Sequence, residues 1–127
     1  MKGWVPCYKF HIVSVAAGSR AGEIRLRVGD NENLRLYWGH VGYGVDPEHR
    51  GRHFAARALR LVLPLARLHG LSELWITCNP ENTSSRRTCE YAGAEFVEIV
   101  DLPPHLDMYQ RGDRQKCRYR LDLRLAQ

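Results

Sequence analysis

The sequence predicts an α/β domain of the mixed kind, a twisted and mostly antiparallel sheet with helices packed on it, formed by residues 1–127 as one unit. Three features predict this. Two stretches with period-two alternation open the chain around a glycine-containing loop, an amphipathic helical stripe follows a third alternating run, and a second helical segment sits between short apolar runs. A length of 127 residues with 44% apolar content suits one domain that buries its own core.

In chain order, YKFHIVSV (8–15) and EIRLRV (23–28) read as strands, and AAGSRAG between them reads as a hairpin loop. After the polar turn GDNEN, LRLYWGHVGYGV (34–45) reads as one long strand, with Leu34, Leu36 and Trp38 on one face and Tyr37, Val41, Tyr43 and Val45 on the other. Gly42 and Gly44 share a face near its end, which predicts a bulge or the close approach of another group. The next segment places Ala55, Ala58, Leu59, Val62, Leu65 and Ala66 on one helical stripe and Arg57, Arg60, Pro64 and Arg67 on the other, ending near Gly70. Pro64 faces water in this reading, so it should bend the helix without breaking it.

LSELWITC (71–78) reads as a buried strand and closes a strand–helix–strand unit over residues 36–78. TSSRRTCEYA (83–92) reads as a short helix stopped by Gly93, whose inward residues Ser85, Thr88, Cys89 and Ala92 are all small enough for close packing. EFVEIV (95–100) and KCRYRLDLRL (116–125) are the last two strands, joined by the proline-containing loop DLPPHLDMYQRGDRQ. There is no internal repeat, low-complexity tract or linker.

Composition removes several classes of function. No apolar run approaches the roughly 18 residues that span a bilayer, and MKGWVPCYKF lacks the continuous apolar core of a secretion signal. Cys7, Cys78, Cys89 and Cys117 have neither C-x-x-C nor zinc-like spacing, which points to free thiols in a reducing, cytoplasmic compartment. The net charge of +5 comes mainly from arginine, which suits anions. The arginines are scattered, however, and no stacking-aromatic pattern accompanies them, so a solvated basic surface is favoured over nucleic-acid binding.

One cluster stands apart. His49, Arg50, Gly51, Arg52 and His53 lie at the entry to the amphipathic helix, where unpaired backbone N–H groups and the helix dipole make a ready anion site. The competing reading is an unoccupied basic turn. His49 and His53, four residues apart, lack a third acidic or cysteine ligand, so no metal is expected.

The stretch VDPEHRGRHFAARAL (45–59), followed by NPENTSSRRTCEYAGAEF (79–96), resembles the coenzyme-binding core of GNAT-type N-acetyltransferases. The N-x-x-S-R-R pattern is most similar to the branch resembling ribosomal-protein N-terminal acetyltransferases. The resemblance implies a GNAT-like fold over roughly residues 34–125, acetyl-CoA as co-substrate, and transfer of its acetyl group to the amine of a small molecule or protein by direct attack in a ternary complex. It implies that Arg50, Gly51, Arg52, His53, Phe54 and Ala55 cradle the pyrophosphate, that Val45 pairs its backbone with the pantetheine arm, and that Asn82 and Ser85 hold the coenzyme. Asn82 also reads as a helix N-cap, and the two roles are compatible. Such proteins usually begin with a further strand and helices that this sequence lacks, which leads us to expect self-association, most simply a two-fold dimer, over exposed apolar surface.

Three positions depart from the pattern the resemblance implies. Thr77 stands where many members place a glutamate that orders the deprotonating water. His40 is the best chemical replacement for that base, against the alternative of a structural histidine. Cys89 stands where a tyrosine commonly protonates the leaving thiolate, and it reads equally as that donor or as inert packing, while Tyr43 reads as core before catalyst. His53 replaces a glycine, so its side chain either narrows the turn or points outward. The loop bearing His105, Asp107, Tyr109 and Arg111 is long enough to contact an acceptor, against a purely connecting role. These departures leave a second class open, a coenzyme- or protein-binding module of the same fold without turnover.

Overall fold

The computed structural model describes residues 6–29 and 31–124. The first five residues, Asp30 in the predicted polar turn and Leu125 at the end of the predicted last strand lie outside the described residues.

Strands β1 (Cys7–Ser14) and β2 (Ser19–Arg27) make the expected antiparallel hairpin, with Gly18 at φ +67° turning the chain. Alternation in β2 buries Ile24 and Leu26 while Arg25 stays exposed. The long third strand is not formed. Residues Leu34–Trp38 coil into a π-helical turn, and only Val41–Val45 pairs with β2, as β3. Two interactions explain this difference. The Leu34 amide donates to Asn31 Oδ1 at 2.9 Å, which starts a helical turn, and Gly39 at φ +74° redirects the backbone where a Cβ would stand 3.0 Å from the Trp75 carbonyl oxygen. A five-residue apolar alternation is too short to separate strand from helical turn, and the Asn at its start was the overlooked signal.

The remaining elements follow the predicted order: α1 (Phe54–Leu68), β4 (Glu73–Cys78), α2 (Thr83–Tyr91), β5 (Glu95–Asp101), a short α3 (Asp107–Gln110) inside the predicted loop, and β6 (Gln115–Asp122). Helix α1 runs unbroken through the exposed Pro64. The strands form two three-stranded antiparallel sheets, ordered β1-β2-β3 and β4-β6-β5. The halves are joined at the start of β3, where the His40 amide donates to the Trp75 carbonyl at 2.6 Å. Farther along, a cleft opens between β3 and β4.

The core forms where the buried face of α1, with Leu59, Leu63 and Ala66, meets Ile24, Leu26, Leu74, Ile76 and Tyr119 from both sheets. Each of these leucines and isoleucines contributes roughly 1.5–3 kcal/mol through burial, which fixes α1 across the join. The tight backbone approach lies at Gly22, where an added Cβ would stand 2.1 Å from the Gly44 carbonyl oxygen. At Gly44 itself nothing lies within 4 Å, and Gly42 meets only the Arg25 side chain at 3.7 Å. The pairing of β2 with β3 is regular, so the bulge expected at these glycines is absent and their open face is left clear.

Candidate active site

Between β3 and α1 the chain makes one 3-10 turn over Pro47–His49, passes Gly51 at φ +84°, and enters α1 at His53 with no side-chain cap. The first-turn amides of α1 are therefore left to an external partner. His53 is the one non-glycine with positive φ among the described residues, at φ 60° and ψ 25°. The family's glycine would fit this left-handed geometry without strain. The His53 ring does not fill the turn but stacks on Tyr91 of α2, with ring centroids 3.7 Å apart and planes 8° apart.

His49 turns inward instead, edge-on to Phe54 at 5.9 Å, with its Nδ1 buried and without a protein partner. The two rings thus part company. Among the described residues no group of three His, Cys, Asp or Glu could hold a metal ion. A groove of about 260 Å³ lies over the start of α1, lined by Val45, Arg50, Gly51, Ala55, Asn82 and Ser85 together with Tyr43, His53 and Phe54. Arg52 is exposed and lies at the rim of a different, apolar hollow beside β1.

Register explains what β3 offers this groove. The Asp46 amide donates to the Ala21 carbonyl at 2.7 Å, and antiparallel alternation then directs the backbone groups of Gly44 and Gly42 toward β2. Those of Val45 and Tyr43 point the opposite way, toward the cleft between the sheets. The Val45 carbonyl accepts from Arg50 Nε at 3.1 Å. Asn82 caps α2, its Oδ1 accepting from the Ser85 amide at 3.1 Å, and it lines both the groove and the inter-sheet cleft.

At the inner end of the groove the Tyr43 hydroxyl lies 2.9 Å from Ser85 Oγ and 3.6 Å from Cys89 Sγ. Burial pushes its pKa far above the usual phenol value, so it remains protonated as a donor. Cys89 is fully buried behind this pair and lines neither cavity, and its hydrogen bond with Cys78 together with burial pushes its thiol up as well. Of the two, Tyr43 and not Cys89 faces the space where a ligand would lie.

The second cavity, about 230 Å³, is the opening between β3 and β4, and includes Arg25, Tyr43, Thr77, Cys78, Asn79 and Lys116 in its wall. The Thr77 hydroxyl donates to the Tyr37 carbonyl at 2.8 Å. His40 is absent from this wall. It is buried just before β3 begins, where Nδ1 accepts the Trp75 amide at 2.9 Å and so helps fasten the two sheets.

The loop after β5 is anchored, not free. Leu102, Leu106 and Met108 pack with Tyr37 and Trp38, and Asn79 Nδ2 donates to Asp113 Oδ1 at 3.0 Å. His105 and Arg111 remain exposed on it. Cys78 lines the cleft but was passed over by sequence reasoning, and Tyr43, read there as core before catalyst, lines both hollows. Tyr43 could have been found two residues before Val45 on the same face, and Cys78 as the last residue of a buried strand, where open sheets present their ligands.

A split sheet beside a helix N-terminus without a side-chain cap, with two hollows that share Tyr43, Asn82 and Ser85 in their walls, defines the class of this α/β domain. The model of the acetyltransferase (GNAT) domain matches residues 2–95, and the chain belongs to that family. Among solved structures it is similar to the ribosomal-protein-S5-alanine acetyltransferase of Vibrio fischeri, with TM-score 0.71 and 17% identity, covering 95% of this chain and 64% of that one. A GNAT-family acetyltransferase from Bacillus anthracis gives TM-score 0.68 and 19% identity over 91% of this chain and 66% of that one. The microcin C7 self-immunity acetyltransferase, solved with acetyl-CoA and AMP, gives 0.62 and 15% over 82% and 55%. The likeness at these identities is one of fold, and the chain spans between 55% and 66% of the lengths of these three proteins. No curated protein sequence matched. No helix among the described residues is long and apolar enough to cross a membrane.

Proposed function

We propose that the chain transfers the acetyl group of acetyl-CoA to a primary amine by direct attack in a ternary complex. The observation that carries this reading is the continuity of the two hollows: Tyr43, Asn82 and Ser85 line both, so one extended ligand can run from the start of α1 into the split sheet. The amides from Gly51 to Ala55 bind the diphosphate, that of Arg50 being given to the Pro47 carbonyl at 3.4 Å, and the Val45 amide and the cleft-facing backbone groups of Tyr43 are offered to the pantetheine arm. The Tyr43 hydroxyl, which donates to the Ser85 carbonyl at 3.3 Å, turns its proton to the departing sulfur when the coenzyme is bound. Its raised pKa keeps that proton in place, so it acts as a hydrogen-bond donor with Ser85 setting its position.

Among the described residues, no carboxylate takes the place of the missing base in the wall of the inter-sheet cleft, where Thr77 is bound to a carbonyl and Arg25 and Lys116 bring positive charge. Nearby cations disfavour the protonated form of an amine. An α-amine, with a pKa of about 7.7–8.0, would then arrive largely neutral, whereas a lysine at about 10.4 would not. This favours a protein or peptide N-terminus as acceptor, in keeping with the N-x-x-S-R-R resemblance and with the named substrate of the Vibrio fischeri protein. Free cysteines suit a cytoplasmic setting for this activity.

The same lack of a base favours a second reading, a coenzyme-binding module without turnover. Melting curves test what both share. Acetyl-CoA at a hundredfold excess over its Kd contributes about 2.7 kcal/mol to the native state, a rise of roughly 10 °C for a domain of this size. Gly51→Val should abolish most of that rise, because a branched side chain enters the ligand's space and cannot easily hold φ +84°. An unmoved wild-type melting curve at millimolar acetyl-CoA sinks both readings. A shift without acetylated product from any N-terminal peptide leaves only the second.

A further inference from the structure

Three of the four cysteines are buried together beneath the inter-sheet cleft, and the acetyl-transfer chemistry uses none of them. Cys78 ends β4 directly opposite Cys117 of β6, and Cys89 approaches from α2. Of the three, only Cys78 contributes to the wall of the cleft, beside Tyr43, Ser85 and Lys116. Lys116 Nζ is held there by Asn79 Oδ1 at 2.6 Å and by Asp113 at 3.5 Å, so its charge is fixed near the strand end. Cys89 and Ser85 are hydrogen-bond partners of the Cys78 sulfur, and Arg86 adds a second cation. Cys78 is 5% exposed at the wall of the cleft, and hydrogen bonds and positive charge around such a thiol are what raise its reactivity.

We propose that Cys78 is a thiol-modification site specific for coenzyme A disulfide, forming a mixed disulfide that closes the cleft to substrates. This rests on the reading of the groove as the coenzyme site. The adenosine diphosphate half of the disulfide lodges over the start of α1, and the pantetheine arm brings its sulfur past Tyr43 and Ser85 to Cys78. The Cys78 thiolate attacks the nearer sulfur, a Cys78–sulfur bond forms, the sulfur–sulfur bond of the reagent breaks, and the second coenzyme A leaves as a thiolate. Cys78 is oxidised and one coenzyme sulfur is reduced, so no other oxidant is needed. The Cys89 hydrogen bond, helped by Ser85, Arg86 and Lys116 and opposed by burial, holds the Cys78 thiol down to about 7. Capture should therefore slow about tenfold between pH 8 and pH 6 as the thiolate is lost.

The test is intact-mass and peptide-map analysis of the folded protein treated with coenzyme A disulfide. The expected result is one coenzyme A on the Cys78 peptide, released by dithiothreitol, blocked by excess acetyl-CoA, and at least about tenfold faster than the adduct from oxidised glutathione, which lacks the nucleotide. Cys78→Ser should lose the adduct and Cys7→Ser should keep it. An adduct confined to Cys7, equal rates for the two disulfides, or no protection by acetyl-CoA overturns the proposal. Mapping on the wild-type chain decides the matter even where a cysteine variant fails to fold. The melting curve with acetyl-CoA on the untreated protein separates the failures: a shift without a Cys78 adduct rejects this inference alone, whereas no shift removes the coenzyme reading and the inference with it.

Discussion

Helix α1 borders two hollows of opposite character. Along its side, Leu61, Val62 and Leu65 face Phe10, Ile12 and Val13 of β1 across an open apolar space of about 840 Å³. At its N-terminus the groove is about a third as large and mainly polar, built from backbone, arginine and hydroxyl groups. Size alone would place the ligand in the first. For an anionic ligand the proposed reading favours the second, where uncapped helix amides, the Tyr43 hydroxyl and a strand edge lie together. The apolar hollow has aliphatic and aromatic walls, and the polar side chains described in its lining are His11, Ser14, Arg52 and Arg57. Its exposed Val13 at 58% and Leu61 at 80% are instead surface that another body would cover.

Replacing core and hollow residues of α1 breaks or sharpens this contrast most strongly. Leu59, with no exposure, faces both sheets, and Leu59→Ala should cost about 2–5 kcal/mol, lowering the melting temperature by on the order of 10 °C. Leu61→Ala, two residues on, should change the stability of the dilute chain by no more than about 0.5 kcal/mol. Equal losses at the two positions would mean that the hollow is already filled. The two-fold self-association expected of the sequence would place a second copy there. Light scattering then rises in apparent mass with concentration, and Leu61→Glu reverses the rise. A compact monomer at high micromolar concentration, unchanged on dilution, would refute this arrangement.

At the other hollow the next largest effect belongs to Tyr43. If the proposed role of Tyr43 holds, Tyr43→Phe removes the hydroxyl assigned to the leaving sulfur and should lower kcat about 10²-fold, or about 2.7 kcal/mol of transition-state stabilisation, with little change in the acetyl-CoA melting shift. Cys89→Ala deletes a buried thiol that lines neither cavity, so its kcat should change far less than that of Tyr43→Phe. A kcat for Cys89→Ala as low as that for Tyr43→Phe would return the proton-donor role to the thiol.

The contrast between the hollows also governs what the sequence disclosed. Local signals were readable: the Gly18 hairpin, the stripe on α1, the Gly51 turn and the Asn82 cap each depend on residues within one turn of one another. The hairpin and α1 therefore emerge where expected. The π-helical turn at Leu34–Trp38 was misread because its cause lies partly in the Trp75 backbone, far along the chain. The sheet-joining contact of His40 was hidden for the same reason, since only the folded structure brings the Trp75 amide onto its Nδ1. Cys89 was weighed by its place in a motif, but Tyr43 and Ser85 stand between it and the groove, an arrangement involving residues 42 and 46 positions apart. Spacing identifies the anion turn, whereas access to the cleft is a property of packing.

The smallest expected effect tests the turn itself. His53 holds a left-handed backbone that costs an ordinary residue roughly 1–2 kcal/mol, and its ring recovers part of this by stacking on Tyr91, an aromatic contact worth about 0.5–1.5 kcal/mol. Glycine at this position loses the stacking and makes the unfolded chain more flexible, but it releases the strain, so His53→Gly should alter stability by less than about 1 kcal/mol in either direction. Alanine loses the stacking and keeps the strain. His53→Ala should therefore be less stable than His53→Gly by about 1 kcal/mol, the reverse of the order at most helix positions. Urea melts of the two variants measure this directly, and an alanine variant at least as stable as the glycine one would mean that the left-handed geometry at residue 53 is wrong. Because the ring points toward α2 and not into the turn, both variants should keep the acetyl-CoA melting shift of the parent chain to within a few degrees, of the roughly 10 °C expected from ligand linkage.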